Sequence, residues 1–222
     1  MELCYRLKGL KHQNPNPMEK NLKSRVTINR LCYKGLDIFA KKGYYNTNLD
    51  DILKELELSK GAFYHHFKSK EDFFIHIVQS LIVQKVYALL IEPLNTHEDP
   101  MPIILDSIEK ALEPNKRNEM VYGFMLVDFL TEFSKRNEDV NRYLKDVVQM
   151  WEVNLISLLK KGKVDGYIAR HLDCEGVAAY IIASFLGIRT LMVDKNARQT
   201  KYLYLQQLKH YFSSLKPQPQ LI

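Results

Sequence analysis

The sequence predicts an all-α protein, a small helical head followed by a larger helical body, on three observations. Apolar residues recur at steps of three and four in one segment after another, the spacing that gathers them on one face of a helix. No strand-like alternation persists anywhere along the chain. Capping residues and the prolines Pro93, Pro100, Pro102, Pro114 and Pro217 divide the segments at helical lengths.

Residues 1–20, with the run Asn14-Pro15-Asn16-Pro17, read as a flexible leading segment, and Met18 is a second candidate for the start. The head spans 21–68. Its first helix is expected from about Leu22 to Lys42, with Val26, Ile28, Leu31, Cys32, Leu36, Phe39 and Ala40 on its apolar side and Gly43 as its stop. Asn48 is placed to cap a second helix, Asp50 and Asp51 sit where the helix dipole favours carboxylates, and Leu49, Ile52, Leu53 and Leu56 form one apolar face. Ser59 is the next capping residue, close enough to leave room only for the tight turn of a helix-turn-helix, so a further helix is expected from Lys60 to about Phe67.

On that helix Phe63 and Phe67 share one side, while Gly61, Tyr64 and His65 fall on the other. A glycine inside a helix costs about 1 kcal/mol relative to alanine, a cost repaid where another backbone must come close. A lysine at the amino end, a bare spot and polar aromatics suit the DNA major groove, which admits one α-helix. An ordinary amphipathic hairpin has the same periodicity, and spacing alone leaves the two readings level.

Ser69 opens the body, 69–215, as the cap of a long helix that carries Glu71 and Asp72 in its first turn and runs through Phe73, Ile77, Leu81, Val83 and Val86 to Ile91, where Pro93 ends it. At 1.5 Å per residue it spans about 30 Å, enough to join head to body. Further helices are expected over Ile103–Leu112, Glu119–Lys135, Val140–Lys161, Cys174–Val193 with Asp173 as cap, and Tyr202–Leu215, with 216–222 a tail. The Cys174–Val193 segment is apolar almost all round and must be covered on every side.

The run AKKGYYNTNLDDILKELELSKGAFYHHFKSKEDFF, Ala40 to Phe74, resembles the amino-terminal signature of the tetracycline-repressor (TetR) family of bacterial transcription regulators. The elements that carry the resemblance are Gly43-Tyr44, Thr47, Asp51-Ile52, Ser59-Lys60-Gly61, Phe63-Tyr64, His66-Phe67 and Ser69-Lys70-Glu71. The chain departs from the pattern at Glu57 and Leu58, where many members have Gly-Val in the turn. Outside Arg25 to about Ile82 the resemblance is one of length and helical layout.

The resemblance implies a three-helix helix-turn-helix head, with the motif at about 48–67, and a helical ligand-binding and dimerisation body. It implies DNA contacts by Thr47, Asn48, Ser59, Lys60, Gly61, Tyr64, His65, His66 and Lys70, with Lys60 and Gly61 nearest the base edges and His66 and Lys70 at phosphates. It places a pocket for a small apolar or aromatic effector among Ile104, Ile108, Phe124, Met125, Phe129 and Trp151, side chains that in most helical proteins are plain core. A homodimer would pair through Val177, Tyr180, Ile181, Ser184, Phe185 and Ile188 and present two reading helices to a palindromic operator. The function implied is a ligand-responsive repressor; a helical small-molecule-binding protein without DNA recognition is the alternative.

Charge agrees with a nucleic-acid partner. Through Asp72 the chain has 14 Lys and Arg against 9 Asp and Glu, while the remainder is nearly balanced at 18 against 17. Cys4, Cys32 and Cys174 lie far apart, with no metal-ligand spacing, as in a reducing compartment. The first residues hold no secretory signal, and the longest apolar run, Val177–Ile188, is too short to cross a bilayer, so a cytoplasmic protein without a membrane partner is expected. His65, His66 and His76 lack a zinc order, and no phosphate loop, nucleophile elbow or CxxC occurs; the sequence calls for no enzyme, cofactor or metal.

Overall fold

The computed structural model describes residues 17–113, 122–192 and 196–217, with the side chains of 17–23 and 122–124 left out. The head comprises α1 (Pro17–Lys42), α2 (Leu49–Glu55) and α3 (Lys60–Tyr64). A long helix, α4 (Lys70–Leu94), connects it to α5 (Pro100–Ala111), α6 (Tyr122–Phe133), α7 (Glu138–Val164), α8 (Cys174–Leu191) and α9 (Ala197–Ser214). α4 is α-helical over Lys70–Ile77, widens to π-helical bonding over Val78–Val83 and Tyr87–Ile91, and closes in a 3-10 turn around Pro93.

Several boundaries differ from expectation for identifiable reasons. α1 begins at Pro17, inside the segment expected to be flexible, because a proline is preorganised for the first helical position and loses no hydrogen bond there. Pro100, expected as a break, likewise starts α5, with Asp99 accepting the Met101 N–H at 3.0 Å. α7 begins two residues early because Asn137 caps it, accepting the Val140 N–H at 3.0 Å. α9 starts at Ala197, five residues before the expected Tyr202. The expected Glu119 start and Val193 end of two helices lie outside the described residues.

One apolar core runs from head to body. Leu31, Leu36 and Phe39 of α1 pack on Ile52 and Leu53 of α2, on Phe63, and on Phe73, Phe74 and Ile77 of α4. A Cβ on Gly35 would lie 2.6 Å from the Phe73 ring, so the glycine sets how closely α1 and α4 approach. Farther along, Ile82, Leu90 and Ile91 join α5 through Ile104 and Ile108, and α7 through Leu144, Val147 and Leu155. Cys32 and Cys174 are buried thiols, and burial pushes Cys32 up to about 11.

Contrary to the sequence expectation, two helices, Lys70–Leu94 and Cys174–Leu191, are long and apolar enough to cross a bilayer by length and composition. Each turns one side into this core, α4 through Phe73, Ile77 and Ile82 and α8 through Val177, Ile181 and Phe185.

Candidate nucleic-acid interface

The pair α2 and α3 carries the candidate reading surface. Ser59 caps α3 by accepting the Ala62 N–H at 3.2 Å. The helix is five residues long rather than the eight expected, and His65 and His66 follow in its closing turn. Phe63 and Phe67 point inward onto Phe73, with ring centroids at 5.4 and 4.8 Å, and anchor the short helix.

The opposite face is uncovered. Tyr64 is 55% exposed, Gly61 and His65 are exposed, and a Cβ on Gly61 would meet nothing closer than the Ser59 hydroxyl at 3.9 Å. That glycine is therefore unexplained by any packing of the described residues, and its place at the centre of an open face fits a partner's close approach. Lys60 reaches outward beside it and pairs with Asp50 of α2 at 3.0 Å.

The turn between the helices holds the residue by which this chain departs from the family pattern. Glu57 has φ +54°, a left-handed conformation that favours glycine, and the Leu58 N–H returns to Leu53 O at 3.0 Å. The turn geometry is thus kept with a glutamate in the glycine position.

Of the expected contact residues, Thr47 and Lys70 are held inward, while Asn48 and Ser59 are exposed. Thr47 is fully buried, its hydroxyl donating to Gly43 O at 2.7 Å, so its side chain supports the turn rather than facing a partner. Asn48 occupies the cap position of α2 but its side chain makes no cap bond. Ser59 accepts the cap bond of α3 and remains exposed. Lys70 does not project toward a phosphate: its ammonium donates to the carbonyls of Tyr44 at 2.9 Å and Thr47 at 3.0 Å and lies 4.1 Å above the Tyr44 ring. Burial holds Lys70 below the ordinary lysine range, partly offset by Glu132. The exposed set is therefore Asn48, Ser59, Lys60, Gly61, Tyr64 and His65, with His66 half-buried against His65 at 4.9 Å. Burial, then His65, holds the His66 imidazole below its usual value.

The head's basic surplus is partly spent internally. Lys34 pairs with Glu55, and Lys42 with Asp51 at 3.7 Å, so acidic α2 is bound to α1 and α3 by three such pairs. Among the described residues no group of three or more His, Cys, Asp or Glu is gathered to hold a metal.

The expected pocket residues Ile104, Ile108, Met125, Phe129 and Trp151 are all buried in the common core, and the Phe124 side chain lies outside the described residues. Phe129 meets Phe74 of α4 edge-on at 4.9 Å, which ties this region to the helix that leads to the head.

The expected dimer residues split by face. Val177, Ile181, Phe185 and Ile188 are buried within their own subunit, Phe185 against Trp151 at 5.1 Å. The periodicity of an all-apolar helix could not tell its two sides apart. Tyr180 is 51% exposed and stacks on Tyr211 of α9 at 4.5 Å, and half-buried Ser184 meets the Tyr204 hydroxyl at 3.1 Å. With Ala179, Ala183, Gly187 and Leu191 they form an outward stripe of small and apolar residues, continued on α9 by Leu203.

Comparison with known proteins agrees with this architecture. Residues 34–77 match the family described as bacterial regulatory proteins, tetR family, and residues 100–201 match the tetracyclin repressor-like C-terminal domain. The chain is 25% identical over 174 residues to the HTH-type transcriptional repressor DhaR of Mycobacterium sp. (strain GP1), covering 75% of this chain and 82% of that protein. It is 24% identical over 150 residues to the transcriptional regulator AcuR of Cereibacter sphaeroides, covering 67% and 68%. Among solved structures, a TetR transcriptional regulator from Chloroflexus aurantiacus J-10-FL superposes with a TM-score of 0.75 at 22% identity, over 86% of this chain and 96% of that one. A TetR-family regulator from Cytophaga hutchinsonii gives 0.74 at 19% identity, over 88% and 98%.

Proposed function

Because the chain belongs to the TetR family of bacterial transcription regulators, we propose that it is a dimeric repressor, held on a palindromic operator by α3 and released by a small apolar or aromatic molecule in the body. The observation that carries the DNA-reading part is the open face of α3: Gly61 has empty space beyond it, between an exposed lysine and an exposed tyrosine. Lys60 and Gly61 lie nearest the base edges, Tyr64 and His65 at bases or phosphates, and His66 at phosphate. Thr47 and Lys70 support the turn that sets α3 in place. The repressor sense is supported by the relative DhaR, which bears that description.

Dimerisation is proposed through the outward stripe of α8 and α9, where Ala179, Ala183 and Gly187 permit close helix approach and Tyr180, Leu191 and Leu203 supply apolar area. A two-fold pair of bodies would set two heads about one DNA turn apart. The effector site is proposed where α5, α6 and α7 meet, around Ile104, Met125, Phe129 and Trp151. Coupling of about 1 to 3 kcal/mol between effector and operator is usual for such a switch. A protein in the cytoplasm, where operator and effector meet, is the corresponding location.

Selection of bound sequences from a random duplex pool tests this reading. Enrichment of a palindrome, bound by the wild type and at least tenfold less by Tyr64→Ala with an intact dimer, is expected. Recovery of no sequence above background would overturn it.

A further inference from the structure

The corner between α6 and α7, residues 132–137, is fastened both to the head and to the start of α4. Glu132, in the last turn of α6, accepts the backbone N–H of Tyr44 with one carboxylate oxygen and that of Tyr45 with the other, both at 2.9 Å. On the same turn Lys70 donates to the carbonyls of Tyr44 and Thr47. The segment 43–47 is thus held by an anion at its amides and a cation at its carbonyls, each charge meeting the backbone dipole of opposite sign. Gly43 admits the carboxylate: its φ is +82°, and a Cβ there would stand 3.0 Å from Glu132 Oε1.

Neighbouring side chains extend the joint. The Phe133 ring lies 4.9 Å from Tyr44, 5.4 Å from Tyr45 and 4.9 Å from Phe74. The Arg136 guanidinium covers the Tyr45 ring at 4.8 Å. Asn137 caps α7 with its oxygen and donates its amide to Glu71 of α4 at 2.8 Å. Amides and rings of the head and the Glu71 carboxylate of α4 are therefore all met by one short stretch of the body.

We infer that Glu132 and Asn137 are positioning residues for DNA binding, which fix the tilt of the head on the body and through it the separation of the two reading helices in a dimer. The inference rests on the proposed function and names its transmission route. Met125 and Phe129 lie on the same helix as Glu132, about 10 Å and about 5 Å along its axis at 1.5 Å per residue. A molecule that displaces α6 at those side chains moves the carboxylate that grips the head, a route alongside the Phe129 contact with Phe74 of α4.

Two duplexes separate this role from simple support of the head: the selected palindrome and a half-site of the same sequence, titrated with wild type, Glu132→Gln and Asn137→Asp. The first variant takes away one of the two acceptors; the second keeps the cap oxygen of α7 but sets a carboxylate against Glu71. Each is expected to lose about tenfold or more on the palindrome, where both heads must engage together, and to stay within about twofold on the half-site. The salt dependence should be unchanged, since no phosphate contact is removed. If Glu132→Gln melts early, Asn137→Asp carries the same comparison. Equal losses on both duplexes would reduce the joint to a support of the head, and no loss on either would remove it from DNA binding; each result overturns the inference. A wild type that does not prefer the palindrome would overturn the dimeric reading itself, and the inference with it.

Discussion

Lys60 Nζ stands 3.0 Å from the Asp50 carboxylate, so the first residue of α3 meets an anion of its own head before it meets DNA. Both side chains are well exposed, and the pair must open or be shared when a phosphate or base edge arrives. Replacing Asp50 by Asn frees the lysine and removes a negative charge facing the duplex. Operator affinity in a fluorescence-anisotropy titration should rise on the order of several-fold at low salt, and the gain should shrink as salt increases.

Glu57 provides a second test, of the turn rather than the face. A non-glycine residue at φ +54° is strained by about 1 kcal/mol or more, and glycine there is not, although it gives up chain entropy. Glu57→Gly should therefore stabilise the protein by about 0.5 to 1 kcal/mol and raise the melting temperature by a few degrees. A lower melting temperature would show that the Glu57 side chain contributes more than its backbone costs.

His66, just after α3, gives a pH dependence with two opposite signs. In the free protein burial and His65 hold His66 below its ordinary value, so the unfolded chain binds more protons than the folded one near pH 6.5. This contribution to stability is full above that pH and falls as pH drops toward the lowered folded value. Against a phosphate the same imidazole gains by protonation, so the complex takes up a proton and affinity rises as pH falls through this window. Titrations at pH 8 and pH 6 should show tighter binding at the lower pH, and His66→Gln should flatten the trend.

The two sides of α8 should answer differently to substitution. Phe185→Ala removes a ring packed on Trp151 within the subunit and should cost about 3 to 5 kcal/mol of stability. Ala183→Glu places a charge on the outward stripe and should leave folding of the subunit nearly intact while sedimentation shows monomers. Monomers from the first and not the second would reverse the assignment of faces.

The head was legible because its signals are local. Caps at Ser59 and Ser69 form as their spacing requires, each accepting an N–H three residues on, and Phe63 and Phe67 turn inward as period 3.6 demands. The inward turn of Lys70 and Thr47 is not legible, because their partners are backbone carbonyls in a turn, which no side-chain pattern announces. That Val177, Ile181, Phe185 and Ile188 face the core of their own subunit is hidden in the sequence for a different reason. When a helix is apolar all round, the core-facing side is set by the neighbouring Trp151, which lies far away in sequence. Glu132 carries no signal in the sequence, since a lone glutamate near the end of an amphipathic helix reads as solvated surface until its distance to Tyr44 is known.

Gly61→Ala tests the central claim most directly, because the subunit has room for the added methyl. The substitution should leave the melting temperature unchanged or raise it by a few degrees, as alanine is the better helix former. In the same preparation, affinity for the selected palindrome should fall by about tenfold or more as the methyl meets the DNA. Full affinity in a well-folded Gly61→Ala dimer would contradict the placement of α3 against the duplex.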